Sequence, residues 1–279
     1  MNFNPKKISL IVTDLDGTLL LPDSTLGKKT VSVIKACKKR SLKIMLATGR
    51  SLLSAEDYRK ELELEGPMIY YNGAELVDMP SGRCLSLNTL PNEVAIFCTQ
   101  LAREYNIHFH VYWTDKKNVT EEILFSESPS ASSEIYTDRT GLHFNYGDLI
   151  DKLNAENHPD CIKGLFIAQE TLLEELRSKI LSRFGSAINI VKSASTFLEV
   201  LNSGASKGAA LQQSLSFFNI SREAVLAFGD EENDITMLQT AGYAVAPSNA
   251  IEPVKKTANH IIGHHGEEAL AAFLEEHFL

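Results

Sequence analysis

Residues 14–18, Asp-Leu-Asp-Gly-Thr, put two carboxylates two positions apart directly after the apolar run Ile8–Val12. A salt bridge is excluded as their reason, because no Lys or Arg lies between Lys7 and Lys28. An aspartate at the open end of a buried strand can act as a nucleophile and form a covalent acyl intermediate. A second carboxylate two residues on can lie on the same side and give or take a proton. Repulsion between the two favours keeping one protonated, as a general acid requires. Gly17 lets the chain turn sharply and Thr18 can hydrogen-bond the turn. Taken alone, the five residues also fit an Asx-type turn with no catalysis.

Three further stretches carry polar groups suited to an anion or a cation. In Ala-Thr-Gly-Arg (47–50), Thr48 offers a hydroxyl and Gly49 a bare amide, both fit for a phosphate oxygen. By itself this stretch reads as a plain strand-to-helix turn. Gly-Ala-Ser-Lys-Gly (204–208) sets Lys207 at the start of a helix, where free N–H groups and the dipole also favour an anion. A single lysine there is ordinarily solvated surface. Gly-Asp-Glu-Glu-Asn-Asp (229–234) packs Asp230, Glu231, Glu232 and Asp234 around Asn233. Such crowding is costly unless a cation neutralises it, and an all-oxygen ligand set suits Mg²⁺. The alternative is a solvated acidic helix start.

Elements that could position these groups alternate along both ends of the chain. Residues 8–12, 43–47, 68–71, 224–228 and 243–246 read as short buried strands. Helical patterns lie near 26–40 and 52–64, from Ser206 onward, and after Asp234. Short buried strands separated by helices indicate a parallel α/β sheet, and ligands of such sheets bind beyond the carboxyl ends of the strands. All four stretches fall at that edge. Residues 83–197 read as a separate α+β module: a helix from Pro91 to Tyr105, the alternating strand Ile107–Trp113, a Ser-rich stretch at 126–134 taken as a solvated loop, and further helices and strands. The expected division is therefore 1–82 with 198–279 for the core, and 83–197 for the insert.

The 279 residues suffice for one large or two ordinary domains. A net charge of −9 argues against a general nucleic-acid or anionic-membrane binder, so an anionic substrate has to be drawn in locally. Four cysteines without paired spacing, one of them (Cys37) on a helical face, fit reduced thiols in the cytoplasm. No secretory signal and no membrane-length apolar run is visible. Nothing in the sequence reports oligomeric state.

Together and in this order, the four stretches resemble the motifs of haloacid dehalogenase superfamily phosphatases, and more narrowly those of the Cof-type branch, whose large C2B cap lies between the second and third motifs. Asn72-Gly73-Ala74 and the stretch 247–258 are similar to the family's pattern as well, although Ser248 stands where a glycine often precedes the asparagine. The resemblance implies an α/β fold, a Rossmann-like parallel-sheet core with an inserted α+β cap. It implies that Asp14 attacks phosphorus and that Asp16 protonates the leaving oxygen and then activates water. Mg²⁺ is then held by the Asp14 carboxylate, the Asp16 main-chain carbonyl and Asp230, with Asp234 supporting from behind. Thr48, Lys207 and Asn233 hold phosphoryl oxygens, assisted by the amides of Leu15 and Gly49, while Arg50 and Asn72 contact the substrate.

The activity so implied is Mg²⁺-dependent hydrolysis of small phosphorylated metabolites, sugar phosphates or flavin mononucleotide. Two alternatives are a phosphomutase of the same superfamily and a non-catalytic phosphometabolite binder. A P-type transport ATPase is disfavoured, since its motif lacks the second aspartate. The cap is expected to set specificity by closing over the pocket. On its strand 107–113, His108, His110 and Tyr112 share one face, which either looks onto the substrate or is simply solvated. Under the first reading, His110→Ala alters substrate preference more than metal affinity.

Overall fold

A computed structural model describes residues 3–115, 118–156, 158 and 160–279. The chain opens with β1 (Leu10–Thr13), α1 (Lys28–Lys39), β2 (Lys43–Leu46), α2 (Leu52–Glu61) and β3 (Gly66–Tyr70), followed by β4 (Glu75–Met79) and β5 (Arg83–Leu87). It continues through α3 (Asn92–Tyr105), β6 (His108–Asp115), β7 (Asn118–Ser126), α4 (Ala131–Thr140), β8 (Phe144–Tyr146), α5 (Leu149–Asn154), β9 (Asp160–Ile167), α6 (Glu170–Phe184), β10 (Ile188–Ala194) and β11 (Phe197–Asn202). It ends with α7 (Lys207–Phe218), β12 (Val225–Phe228), α8 (Ile235–Thr240), β13 (Tyr243–Pro247), α9 (Glu252–Thr257), β14 (His260–Ile262) and α10 (Ala269–Phe278).

The chain divides into two compact units, residues 1–86 with 206–279, and residues 87–205. These limits lie a few residues beyond the sequence-based ones at 82/83 and 197/198, for a pairing reason. Strand β5 is the third strand of the sheet β3-β4-β5, whereas β11 pairs antiparallel with both β9 and β10.

The first unit is built on a five-stranded sheet ordered β14-β13-β12-β1-β2, parallel at every pairing. All four residues of β1 and of β12 are buried, as strands covered by helices on both faces must be. Strand β3 departs from the expectation of a single parallel sheet. It pairs antiparallel with β4 in the three-stranded sheet and meets the parallel one through the Ala47–Ile69 bridge. The core here joins Leu10, Val12 and Met45 to Leu211, Val225, Met237 and Val254. Helix starts are set locally at α2 and α7, where the Ser51 and Ser206 hydroxyls accept from the N–H groups of Ser54 and Ala209. Helix α1 lacks such a residue. Glu268, far along the chain, accepts from its Thr30 N–H at 2.6 Å instead.

The second unit carries a six-stranded sheet ordered β10-β11-β9-β6-β7-β8, with its own core of Val94, Leu101, Phe109, Phe166, Leu176 and Leu198. Two expectations are corrected here. The Ser-rich stretch is a solvated loop only in part: Ser128 and Pro129 are exposed, but Ser130 and Ser133 form the reciprocal cap that starts α4, and Ser126 and Ser133 are buried. The polar face of β6 is not solvated, because His108, His110 and Tyr112 are all buried. The Phe144 ring packs edge-on against both histidines, and Tyr136 of α4 lies against His110 and hydrogen-bonds Tyr112. All four cysteines are free, with Cys37 buried on α1. Among the described residues no helix is long and apolar enough to cross a membrane.

Candidate active site

Strand β1 lies between β12 and β2, so the chain winds away from it in opposite directions, and the crevice of such a switch point opens at the carboxyl ends of the strands. Asp14 leaves β1 there, its N–H donating to Phe228 O at 3.0 Å. Residues 15–19 then make one wide helical turn broken by extended backbone at Asp16 and by Gly17 at φ +75°. Gly17 is needed for space as well as for φ. A Cβ there would sit 2.2 Å from Asp230 Oδ2.

Lys207, fully buried at the first turn of α7, bridges two carboxylates, with Nζ 2.7 Å from Asp14 Oδ1 and 2.6 Å from Asp234 Oδ1. The second oxygen of Asp234 accepts from the N–H groups of Asp230 and Glu231 at 2.9 and 3.1 Å. Asp234 therefore ties the loop after β12 to the lysine. Thr18 Oγ1 donates to Asp230 Oδ1 at 2.7 Å rather than bracing its own turn. The supposition that no salt bridge accounts for the aspartate pair is thus overturned. Asp14 is paired with Lys207 and Asp16 with Arg50, partners that no local window of sequence contains.

Asp14, Asp230 and Asp234 each bring one oxygen within 4.8 Å of the others. Burial pushes the Asp14 carboxyl well above its ordinary range; Lys207 opposes this, while Asp234, Asp230 and Asp16 add to it. Asp230 is pushed up to about 7, chiefly by burial and against the Thr18 hydrogen bond. On Lys207, burial acts against the charged form, but Asp14 and Asp234 outweigh it and hold the ammonium protonated. Three buried carboxylates thus face one ammonium. An all-oxygen cluster with that surplus of negative charge fits a hard divalent cation.

On the other side of Asp14, Thr48 is buried after β2, and its Oγ1 accepts from the Arg50 N–H at 3.0 Å. Asn72, buried and left-handed at φ +57°, donates its N–H to Thr48 O. Its Oδ1 accepts from Asn233 Nδ2 at 2.7 Å, which joins the segments after β3 and β12. Arg50 forks onto Asp16, with Nε to Oδ2 at 2.7 Å and Nη2 to Oδ1 at 2.6 Å. That fork holds the Arg50 guanidinium above its ordinary pKa in spite of burial. Leu15 and Gly49 lie beside these groups in the chain, Leu15 fully buried.

Residues missed from sequence complete the frame. Asn249 Nδ2 donates to Gly17 O at 2.8 Å and its Oδ1 accepts from the His265 N–H, so the stretch after β13 clamps the turn after β1. Its place beside Ser248, in the stretch already singled out, was the available signal. Tyr58, bonded to Arg50, carried none.

Residues 11–274 match the family model of the haloacid dehalogenase-like hydrolases. The chain is 30% identical over 275 residues to the 5-amino-6-(5-phospho-D-ribitylamino)uracil phosphatase YitU of Bacillus subtilis, covering 96% of this chain and 97% of that protein. It is 32% identical over 267 residues to the HMP-PP phosphatase of Cronobacter sakazakii, covering 94% and 92%. The fold is similar to the crystal structure of a haloacid dehalogenase-like hydrolase from Bacteroides thetaiotaomicron, with a TM-score of 0.83 at 26% identity over 97% of this chain and all of that one.

Proposed function

The chain belongs to the haloacid dehalogenase-like hydrolases, and on that footing we propose that it is a Mg²⁺-dependent phosphatase of small phosphorylated metabolites, sugar phosphates or flavin-mononucleotide-like compounds, acting through an aspartyl phosphate. The observation that carries this reading is the clustering of the Asp14, Asp230 and Asp234 carboxylates at the carboxyl edge of the parallel sheet, with the buried Lys207 bridging Asp14 and Asp234. The two relatives named above, both phosphatases of small molecules, support the substrate class.

In this reading an Asp14 carboxylate oxygen attacks phosphorus, and the bond from phosphorus to the leaving oxygen breaks in line. Asp16 delivers a proton to that oxygen. Asp16 then takes a proton from water as the water oxygen attacks phosphorus, the bond to Asp14 breaks, and inorganic phosphate leaves. Mg²⁺ held by the Asp14 carboxylate, the Asp16 main-chain carbonyl and Asp230 would supply charge neutralisation between nucleophile and phosphoryl oxygens. That service is large: two like charges 4 Å apart repel by about 4 kcal/mol at an effective dielectric near 20. Asp234 supports the cation site from behind, through the lysine and the amides of residues 230 and 231. Thr48, Asn233 and the amides of Leu15 and Gly49 serve the phosphoryl oxygens. Lys207 combines a phosphoryl contact with neutralisation of the nucleophile. Asn72 orients Asn233 through their side-chain hydrogen bond. Residues 87–205 take the place of the cap that the resemblance implies.

Phosphate release from a panel of phosphomonoesters, with and without Mg²⁺, tests this. Mg²⁺-dependent release is expected from wild type, and Asp14→Asn is expected to abolish it. Isomerised substrate without free phosphate, or no turnover of any ester, overturns the reading.

A further inference from the structure

Asp16 is half exposed, with 52% of its side chain open to solvent, yet both of its carboxylate oxygens are taken up by one partner. That partner is itself fixed at several points. The Arg50 N–H donates to Thr48 Oγ1 and the Arg50 carbonyl accepts from the Tyr71 N–H at 3.0 Å. The remaining terminal nitrogen, Nη1, donates to Tyr58 OH at 3.1 Å, and the guanidinium lies 5.1 Å from the centre of the Tyr58 ring. The Tyr58 hydroxyl passes the direction on, donating to Ser24 O at 2.8 Å. Ser24 sits in the turn after the Asp16 segment, where Leu21 N–H bonds Thr25 O and Asp23 accepts from Thr25. A closed loop results, running Asp16, Arg50, Tyr58, Ser24 and back along the chain to Asp16.

The resemblance implies that Arg50 contacts the substrate, whereas in the structure its fork goes to Asp16. We propose that Arg50 and Tyr58 are positioning residues for Asp16: the fork fixes the rotamer and the plane of the carboxylate that exchanges the proton, and Tyr58 braces the fork against the turn at Ser24. This rests on the reading of Asp16 as the group that protonates the leaving oxygen. An exposed carboxylate otherwise samples several rotamers, and two parallel N–H···O bonds from a planar guanidinium restrict it to one orientation. Lysine cannot substitute, because its ammonium is a point charge without a fork. Tyr58 belongs to α2, which holds none of the groups assigned above to the phosphoryl oxygens, and its contact with that set runs through Arg50.

A positioning role makes a specific kinetic claim. Proton delivery matters for an alkoxide leaving group and little for p-nitrophenolate, which leaves without protonation. The test is the single-turnover rate of phosphoryl transfer, with Mg²⁺, from glycerol phosphate and from p-nitrophenyl phosphate, alongside steady-state KM. Asp16→Asn comes first, and a loss much greater for glycerol phosphate than for p-nitrophenyl phosphate supports its role as the acid. Tyr58→Phe keeps the ring under the guanidinium and removes only the hydroxyl. It is expected to slow transfer from glycerol phosphate by about fivefold, the size of one lost hydrogen bond. Arg50→Lys is expected to slow that transfer by about a hundredfold, within the range that general acid catalysis commands. Both variants should leave KM and the p-nitrophenyl phosphate rate within about threefold of wild type. If Asp16→Asn is selective for the leaving group but the other two variants slow both esters equally, or raise KM at constant kcat, Arg50 is a substrate contact and the proposal falls. If Asp16→Asn shows no selectivity, the acid role fails, and the positioning role fails with it.

Discussion

Lys207 shows how much a single side chain can decide. It is a fully buried cation between two buried carboxylates, and removing it leaves Asp14 and Asp234 facing each other without compensation. Breaking a buried ion pair from one side costs about 3–5 kcal/mol. Lys207→Met is therefore expected to lower urea stability by that order in the absence of metal, with part of the loss restored by Mg²⁺. An unchanged denaturation midpoint would refute the electrostatic role. Asp230 carries a pH prediction of its own. Its carboxyl is raised in the folded protein to about 7, while an unfolded aspartate titrates near 4. Between those values the folded state holds a proton that the unfolded state has lost. Stability without metal therefore falls as pH rises through that window, by up to about 1.4 kcal/mol per pH unit for this group. Cations bind the ionised form, so the stabilisation given by Mg²⁺ should grow over the same range. The difference between the wild-type and Asp230→Asn melting curves at pH 4 to 8, with and without Mg²⁺, isolates this group from His108, His110 and Asp14 and checks the sign.

Among the elements, the contact between α7 and α8 is set by backbone closeness. A Cβ on Gly208 would lie 2.4 Å from Thr236 O, a backbone atom that cannot rotate away. Helix propensity alone would make Gly208→Ala stabilising by up to about 1 kcal/mol. Overpacking costs about 1–3 kcal/mol, so a net loss is expected, and equilibrium denaturation reads which effect wins. A gain would show that α7 can shift freely without disturbing Lys207. Helix α1 depends on a distant side chain in a different way. Its start is capped by Glu268, and Glu268→Ala should cost about 1 kcal/mol, as the loss of a local cap does.

At the scale of the whole molecule, the two units have separate cores and opposite responses to acid. In the second unit, burial pushes His108 down to about 4 and His110 further below its ordinary value, with His108 and Lys163 adding to the latter. The unfolded imidazoles take up protons near pH 6.5. The folded pair stays neutral there, so its contribution to stability is lost as pH falls from about 6.5 towards 4. In the first unit without metal, protonation of Asp14 and Asp230 acts in the other direction. Acidification from pH 7 to 5 should therefore weaken residues 87–205 and support the parallel-sheet unit. Hydrogen exchange resolved by segment would show the two moving apart, and His108→Gln with His110→Gln should remove the acid loss. The same burial changes what His110→Ala reports. With Phe144 and Tyr136 packed on the ring, the variant is expected to lose stability, and any change in substrate preference has to be judged against that loss.

Much of this protein was legible in one dimension because the signals are local. Apolar runs bounded by turns placed β1, β2 and β12, and Ser206 at a helix start placed α7. Asp14, Thr48, Lys207 and Asp230 stood out because each sits at a strand end or a helix start. What the chain order could not express is which distant groups meet. Lys207 reaching Asp14 across 193 positions, Thr18 serving Asp230 across 212, and Arg50 closing on Asp16 are consequences of strand order. Only the placement of β1 between β12 and β2 brings those loops to one edge. The polar face of β6 was misjudged for the same reason. Alternation says that His108, His110 and Tyr112 share a side, but whether water or α4 covers that side depends on where the chain returns. Hydrophobic period and turn chemistry are written residue by residue, whereas burial, and with it every shifted pKa and every compensated charge, belongs to the assembled structure.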